Sequence, residues 1–333
     1  MLPYNVFPSS LSVSMPPRFV PAWWLPHAHL QTVYGSIGVP APRVELRRER
    51  WETPDGDFVD VDIVDGPATA PWVQLFHGLE GSSRSSYARA LMGQVRERGW
   101  RGSVMHFRGC GGEPNLLPRA YHSGDSEEID WVLRRLRERA GTAPLYAAGV
   151  SLGGNALAKW LGEHGEAAAA VVASAAAVCA PVDLTAAGEA LERGLARMYA
   201  RHFLTTLRVN ALGRLERFPG LYDADAVRRS RTLRHFDDAV TAPLHGFRDA
   251  ADYWRRASAK PWLASIRVPT LLLNARNDPF LPESALPTER EVSPAVKLEF
   301  PDSGGHVGFV SGPFPGDIEW LPRRLFHFFE HRE

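Results

Sequence analysis

The sequence is poor in several features that would mark a specialised class. Two cysteines in 333 residues exclude a disulfide scaffold and suggest a reducing compartment. Neither sign of charge is in excess, with 38 basic residues against 38 acidic. That balance argues against a nucleic-acid partner, because such proteins carry a basic surplus. The longest uncharged apolar run, Ala167 to Val182, has 16 residues, short of the roughly 20 that cross a bilayer. No early positive charge precedes an apolar stretch at the amino terminus, where the first basic residue is Arg18 and prolines interrupt the chain. No secretory signal is read there, and a cytoplasmic location is expected. Lysine is scarce as well, three against 35 arginines, a hint of a GC-rich genome and not a functional signal.

What remains is ordinary globular composition, 44% hydrophobic, enough for one large domain or two modest ones. Residues 1–42 are rich in proline and aromatics without a clear period and are read as an ordered arm on the body. A hairpin is predicted over 44–53 and 58–64, turning at Pro54-Asp55-Gly56. After Pro71 short apolar runs alternate with helical ones, which indicates βαβ units. Strands are predicted at 72–76, 103–107, 145–150 and 169–178, and helix faces at Tyr87, Leu91, Val95 and at Ile129, Val132, Leu133, Leu136. From Asp183 to about Trp262 the pattern turns arginine-rich and helical, with Leu191, Leu195 and Met198 assigned to one face and breaks at Pro219-Gly220 and Pro243. Alternation resumes at 268–274 and 296–300 and closes on a helix over 320–331. The expected fold is α/β, a mostly parallel sheet with a helical insertion. It divides into an arm (1–42), a first core part (43–180), a cap (181–262) and a second core part (263–333).

Gly149-Val150-Ser151-Leu152-Gly153-Gly154 is a G-x-S-x-G motif between a predicted strand and a predicted helix. That context marks a nucleophile elbow, where a strained serine needs glycine two residues to either side. A serine hydroxyl requires a base and the base an orienting carboxylate, in the order Ser, Asp, His along the chain. Asp278 lies on the loop after Thr270-Leu271-Leu272-Leu273-Asn274, and His306 on the loop after Lys297-Leu298-Glu299-Phe300. Asp302 is the rival carboxylate but shares the histidine's own loop, so Asp278 is preferred. Donors for a developing oxyanion are expected at the backbone N–H of Leu152 and of Leu79, the latter in the loop His77-Gly78-Leu79-Glu80-Gly81. His77 is read as positioning that loop.

Seven stretches carry a family resemblance: LPHAHLQT at 25–32, HGLEGSSRSSY at 77–87, HFRGCGGEPN at 106–115, YHSGD at 121–125, GVSLGGN at 149–155, NDPF at 277–280 and GGHVGF at 304–309. In this order they resemble the α/β-hydrolases, specifically the YheT-like branch. The resemblance implies the α/β-hydrolase fold, Ser151, Asp278 and His306 in the relay positions, and the insertion after Val178 as a cap. It also implies hydrolysis of medium-chain or lipid-derived esters, with acyl transfer to alcohols in some eukaryotic relatives.

Other motifs have plainer readings. Asp125 and Glu128 are expected to form a capping box, with Tyr121 or His122 as lesser candidates for contact with substrate. Arg108, in a glycine-rich turn, is expected to brace loops. His327-Phe328-Phe329-Glu330-His331 spells H-x-x-E-H, but it sits on an apolar-striped terminal helix, so no metal site and no cofactor are expected. The function expected is a serine esterase acting on a small ester through an acyl-enzyme. The alternatives are an acyltransferase using the same residues and a non-catalytic ligand-binding protein on the same scaffold.

Overall fold

The structure, a computed structural model, describes residues 18–332. The stretch on which the signal reading rests, and the first part of the 1–42 arm, lie outside those residues. Eight strands form one sheet: β1 (Arg47–Glu52), β2 (Phe58–Val64), β3 (Trp72–Phe76), β4 (Arg101–Met105), β5 (Leu145–Val150), β6 (Ser174–Val178), β7 (Thr270–Leu273) and β8 (Val296–Glu299). Their spatial order is β1-β2-β4-β3-β5-β6-β7-β8. The β1–β2 and β2–β4 pairs are antiparallel and the other pairs parallel. The helices are α1 (Ala28–Ile37), α2 (Ser86–Glu97), α3 (Ser126–Ala140), α4 (Leu152–His164) and α5 (Glu166–Ala169). Between β6 and β7 follow α6 (Leu184–Leu191), α7 (Arg197–Arg217), α8 (Ala224–Arg229), α9 (Leu233–Phe236), α10 (Ala242–His245) and α11 (Ala250–Ala257), and α12 (Trp320–His331) closes the chain.

The parallel strands β3, β5, β6 and β7 are buried along their whole length because helices cover both faces. Side chains alternate across a strand, so Trp72 and Phe76 of β3 pack with Ile129 and Leu133 of α3 and Trp160 of α4. Val73 and Leu75 point the other way, toward Leu91 and Met92 of α2 and Phe326 and Phe329 of α12. The insertion builds its own small cores, one of Leu204, Ala211, Val227, Phe236 and Val240 and another of Leu184, Ala250, Tyr253, Trp254 and Ala257.

Four local expectations change. The alanine-rich start of the predicted 169–178 strand is α5 and a turn, since alanine favours helix, and β6 begins only at Ser174. Leu191, Leu195 and Met198 share no face. α6 ends at Leu191 and Gly194 turns the chain at φ +50°, leaving Leu195 61% and Met198 53% exposed. Pro243 does not end the helical run, because α9 passes through a π-helical turn over Asp237–Thr241 into α10, a widened turn next to the residue that lacks an N–H. Within the arm, α1 forms without an apolar period because the face it buries is Gln31, Thr32 and Gly35.

Candidate active site

β5 runs into α4 through Ser151, whose backbone takes φ +53° and ψ −121°, a conformation that strains any residue with a Cβ. The turn is tight enough to require its glycines. A Cβ on Gly149 would lie 2.4 Å from the Gly153 carbonyl oxygen, and one on Gly153 2.4 Å from the Phe76 oxygen. The Ser151 N–H donates to the Val178 carbonyl at 2.8 Å, which ties the elbow to β6. Leu152 is the first residue of α4, so its N–H has no carbonyl one turn back within the helix.

His306 reaches the serine from the loop after β8. Its Nε2 lies 2.9 Å from Ser151 Oγ, and its Nδ1 lies 2.9 Å from Asp278 Oδ2. A carboxylate only accepts, so Nδ1 carries the proton and Nε2 is left to accept from the serine hydroxyl. The Asp278 side chain is fully buried, its other oxygen accepts the Phe280 N–H at 2.8 Å, and the Phe280 ring stacks on His306 at 3.9 Å. Asp302 is turned outward, 80% exposed and 3.6 Å from Arg276.

The histidine loop rests on side chains that the sequence reading left without a role. The Gly304 N–H donates to Gln31 Oε1, the Gly305 N–H to Asn277 Oδ1 and the His306 N–H to Thr32 Oγ1, each at 2.9 Å. Gln31 and Thr32 close the LPHAHLQT stretch and Asn277 opens NDPF. Those motifs were the available signal, although no periodicity exposes their contacts.

The loop after β3 presses against the elbow, where a Cβ on Gly78 would stand 3.1 Å from the Ser151 Cβ. Its amides are mostly occupied. The Gly78 N–H donates to the Tyr87 hydroxyl and the Glu80 N–H to the Tyr121 hydroxyl, both at 2.9 Å, and the Gly81 N–H donates to the Gly78 oxygen. The Leu79 N–H between them has no partner among the described residues. Glu80 is held at φ +54°, its carboxylate accepting from the Tyr121 hydroxyl at 2.8 Å and from Asn210 of α7 at 3.0 Å. His77 is buried, with Nδ1 2.7 Å from the Gly78 oxygen and Nε2 accepting the Phe107 N–H at 3.2 Å. These partners fix a neutral ring, and burial pushes its pKa down to about 3.

Ser151 lines two spaces at once. One is a cavity of about 160 Å³ beneath the insertion, walled mostly by apolar side chains such as Leu184, Leu191, Leu207, Phe236 and Trp254, and also by Tyr121 and His122. The other is a groove that shares Leu79, Glu80 and Phe280 with the cavity and is bounded by Val33, Ile37, Arg84, Met198 and His306. His122 and His245 meet at 4.6 Å between ring centroids, and burial lowers both to about 3. The Asp237 carboxyl, also on the cavity wall, is pushed up to about 6 by burial, against the donations of Thr241 and Trp254.

The capping box is not formed. Asp125 caps nothing with its side chain and instead accepts from Arg119 at 2.7 Å. Glu128 accepts from Arg108 Nε at 2.6 Å. A buried guanidinium needs counter-charges, and Arg108 finds them in Glu128 and, across the hairpin turn, in Asp55 and Asp57. That demand overrides the local pattern.

Among the described residues one cluster, Cys179, Asp278 and His306, brings three potential ligand atoms within 4.8 Å. Its donors are already engaged. Burial raises the Cys179 thiol, its sulfur accepts the Val307 N–H at 3.3 Å, and Asp278 and His306 bond to each other. The H-x-x-E-H residues do not converge in this way.

Comparisons with known proteins agree with this geometry. The family described as the α/β hydrolase fold matches residues 71–313. The YheT protein of Escherichia coli (strain K12) is 41% identical over 313 residues, 92% of each chain. Phospholipase ABHD3 of Mus musculus is 32% identical over 315 residues, covering 92% of this chain and 76% of that one. Among solved structures, an esterase from Exiguobacterium antarcticum superposes with a TM-score of 0.55 at 17% identity, over 85% of this chain and all of the other. With the sheet order, the elbow and these matches in agreement, the chain belongs to the α/β hydrolase family, in its YheT-like branch.

Proposed function

We propose that the protein is a serine hydrolase that cleaves carboxylic esters through an acyl-enzyme. The observation carrying this reading is the continuous relay from Asp278 through His306 to Ser151, with both hydrogen bonds at 2.9 Å, where two spaces meet. His306 Nε2 takes the Ser151 proton as Oγ attacks the ester carbonyl. The Leu79 and Leu152 N–H groups receive the negative oxygen. The tetrahedral intermediate collapses with loss of the alcohol, to which His306 returns the proton. Water, deprotonated by His306, then releases the acid and restores Ser151. The names of relatives support an ester substrate, since one is a phospholipase and another, from Saccharomyces cerevisiae at 28% identity, a monoacylglycerol lipase. The apolar cavity beneath the insertion suits the acyl chain and the groove suits the departing alcohol.

Ser151→Ala tests the reading. Hydrolysis of a chromogenic butyrate or octanoate ester is expected to fall by about 10⁴-fold or more, and near-normal turnover overturns it. Esters graded from acetate to palmitate then define the length that the cavity accepts.

A further inference from the structure

Six of the eleven large exposed apolar side chains among the described residues lie on α1 or on and just before α7. Leu30, Val33 and Ile37 project from α1, at 51%, 40% and 81% exposure, and their spacing of three and four residues puts them on one stripe. The opposite face of the same helix, Gln31, Thr32 and Gly35, is the one that holds the histidine loop. Across the groove Met198 stands in the first turn of α7 and Leu195 in the short turn before it, and Val209, three turns on from Met198, is 66% exposed. Val33, Ile37 and Met198 belong to the groove that holds Ser151 and His306. The two helices meet through His29 and Tyr199, 3.2 Å apart, and Leu195 lines the neighbouring groove on the far side of that contact, with His29.

The charge carried by α7 is nearly all of one sign. Over 197–217, α7 carries five arginines and one acidic residue, Glu216. Its first turns present Arg197 and Arg201 to solvent along a neighbouring groove that Glu192 also lines, and Arg84 stands exposed at the wall of the Ser151 groove. None of the three makes an ion pair among the described residues. The acidic Glu80 lies inside the groove and is committed to Tyr121 and Asn210. Exposed apolar side chains on α1 and α7, flanked by arginines without ion pairs, match an interface of anionic headgroups over hydrocarbon. A second copy of the chain is a poor occupant, since a two-fold contact would set like charges against each other.

We propose that the face formed by α1 and the start of α7 docks the protein on an anionic lipid surface, opening the Ser151 groove toward esters held there. Docking itself is independent of catalysis; only the delivery of an ester to Ser151 rests on the function proposed above.

The two are separated by measuring binding on the full chain carrying Ser151→Ala. That protein is sedimented with phosphatidylcholine vesicles, with and without 30% phosphatidylglycerol. Binding is expected only with phosphatidylglycerol and is expected to weaken as salt rises. Arg197→Ala with Arg201→Ala, or Leu30→Glu with Leu195→Glu, should each lower the partition coefficient about tenfold or more. In the Ser151 background these pairs should leave hydrolysis of a dissolved butyrate ester within twofold, which also shows that they fold. The proposal is overturned if phosphatidylglycerol vesicles are not bound, if the variants bind as well as the parent, or if the Leu30→Glu, Leu195→Glu pair instead dissociates a dimer. A soluble ester left uncleaved while vesicles are bound would overturn the esterase reading and leave the docking surface in place.

Discussion

Tyr121 shows how much one hydroxyl group can hold. It accepts the Glu80 N–H and donates to the Glu80 carboxylate, which fixes a residue at φ +54° beside the Leu79 amide. Tyr121→Phe keeps the ring, stacked on Phe107 at 5.2 Å, and removes only those bonds. In the mechanism proposed above, a relaxed loop would move the Leu79 N–H off the oxyanion, and losing such a donor costs about 10²–10³ in rate. The expected result is a kcat lower by about 10- to 100-fold with KM little changed, and a matching loss of affinity for a tetrahedral boronate inhibitor. A rise in KM alone would assign Tyr121 to substrate contact. The elbow is less forgiving. In Gly153→Ala the new methyl meets two backbone oxygens at 2.4 and 2.5 Å, neither of which can rotate away. Overpacking against backbone is expected to lower unfolding free energy by about 3 kcal/mol, measured by urea denaturation.

Helix α1 makes the same point for an element. Its contribution is a set of acceptors, and Thr32 Oγ1 is the one that receives the His306 N–H. Thr32→Val keeps the shape and removes that acceptor. A drop in kcat of about tenfold is expected, with Thr32→Ser restoring activity and the unfolding midpoint nearly constant; failure of serine to rescue would point to packing instead. This role was not legible in the sequence because polar contacts leave no period, and the histidine-loop amides that Gln31 and Thr32 receive lie more than 270 residues away. Ser151, Asp278 and His306 could be singled out because each follows a short apolar strand and stands in a turn-forming stretch. The Asp125–Glu128 pair shows the opposite case, a good local pattern cancelled by an arginine 20 residues upstream. Legibility here followed the range of the contact. Sheet alternation and strand-end loops are local and were readable, whereas the Glu80–Asn210 bridge and the cavity wall join residues that no spacing relates.

For the whole molecule, buried titratable groups set the response to acid. His77, His122 and His245 are each held down to about 3, against about 6.5 in an unfolded chain. The unfolded state therefore binds protons first as pH falls, and the stability these rings contribute, complete above about 6.5, is lost between there and 3. Asp237 acts in the opposite sense. With its carboxyl raised to about 6, the native state holds that proton more tightly, and the associated stability is present at low pH and lost as pH rises through 6. Glu128, raised by burial, acts in the same sense as Asp237. Three histidines outweigh the two carboxyls, and unfolding free energy is expected to fall by roughly 2 kcal/mol from pH 7 to pH 5, followed by urea titration; a flat profile would show that the rings are not buried as neutral species.

β6 and β7 are adjacent in the sheet, Val178 opposite Leu273, although the whole helical insertion separates them in the chain. Closing a loop costs entropy that grows only with the logarithm of its length, so doubling the insertion would add about 0.6 kcal/mol. Descent with change can therefore lengthen, shorten or rebuild this segment while the sheet hardly registers it. Ser151, Asp278 and His306 all lie outside the segment, whereas much of the cavity wall lies within it. Selection can retune what is bound without reopening the question of how it is cut.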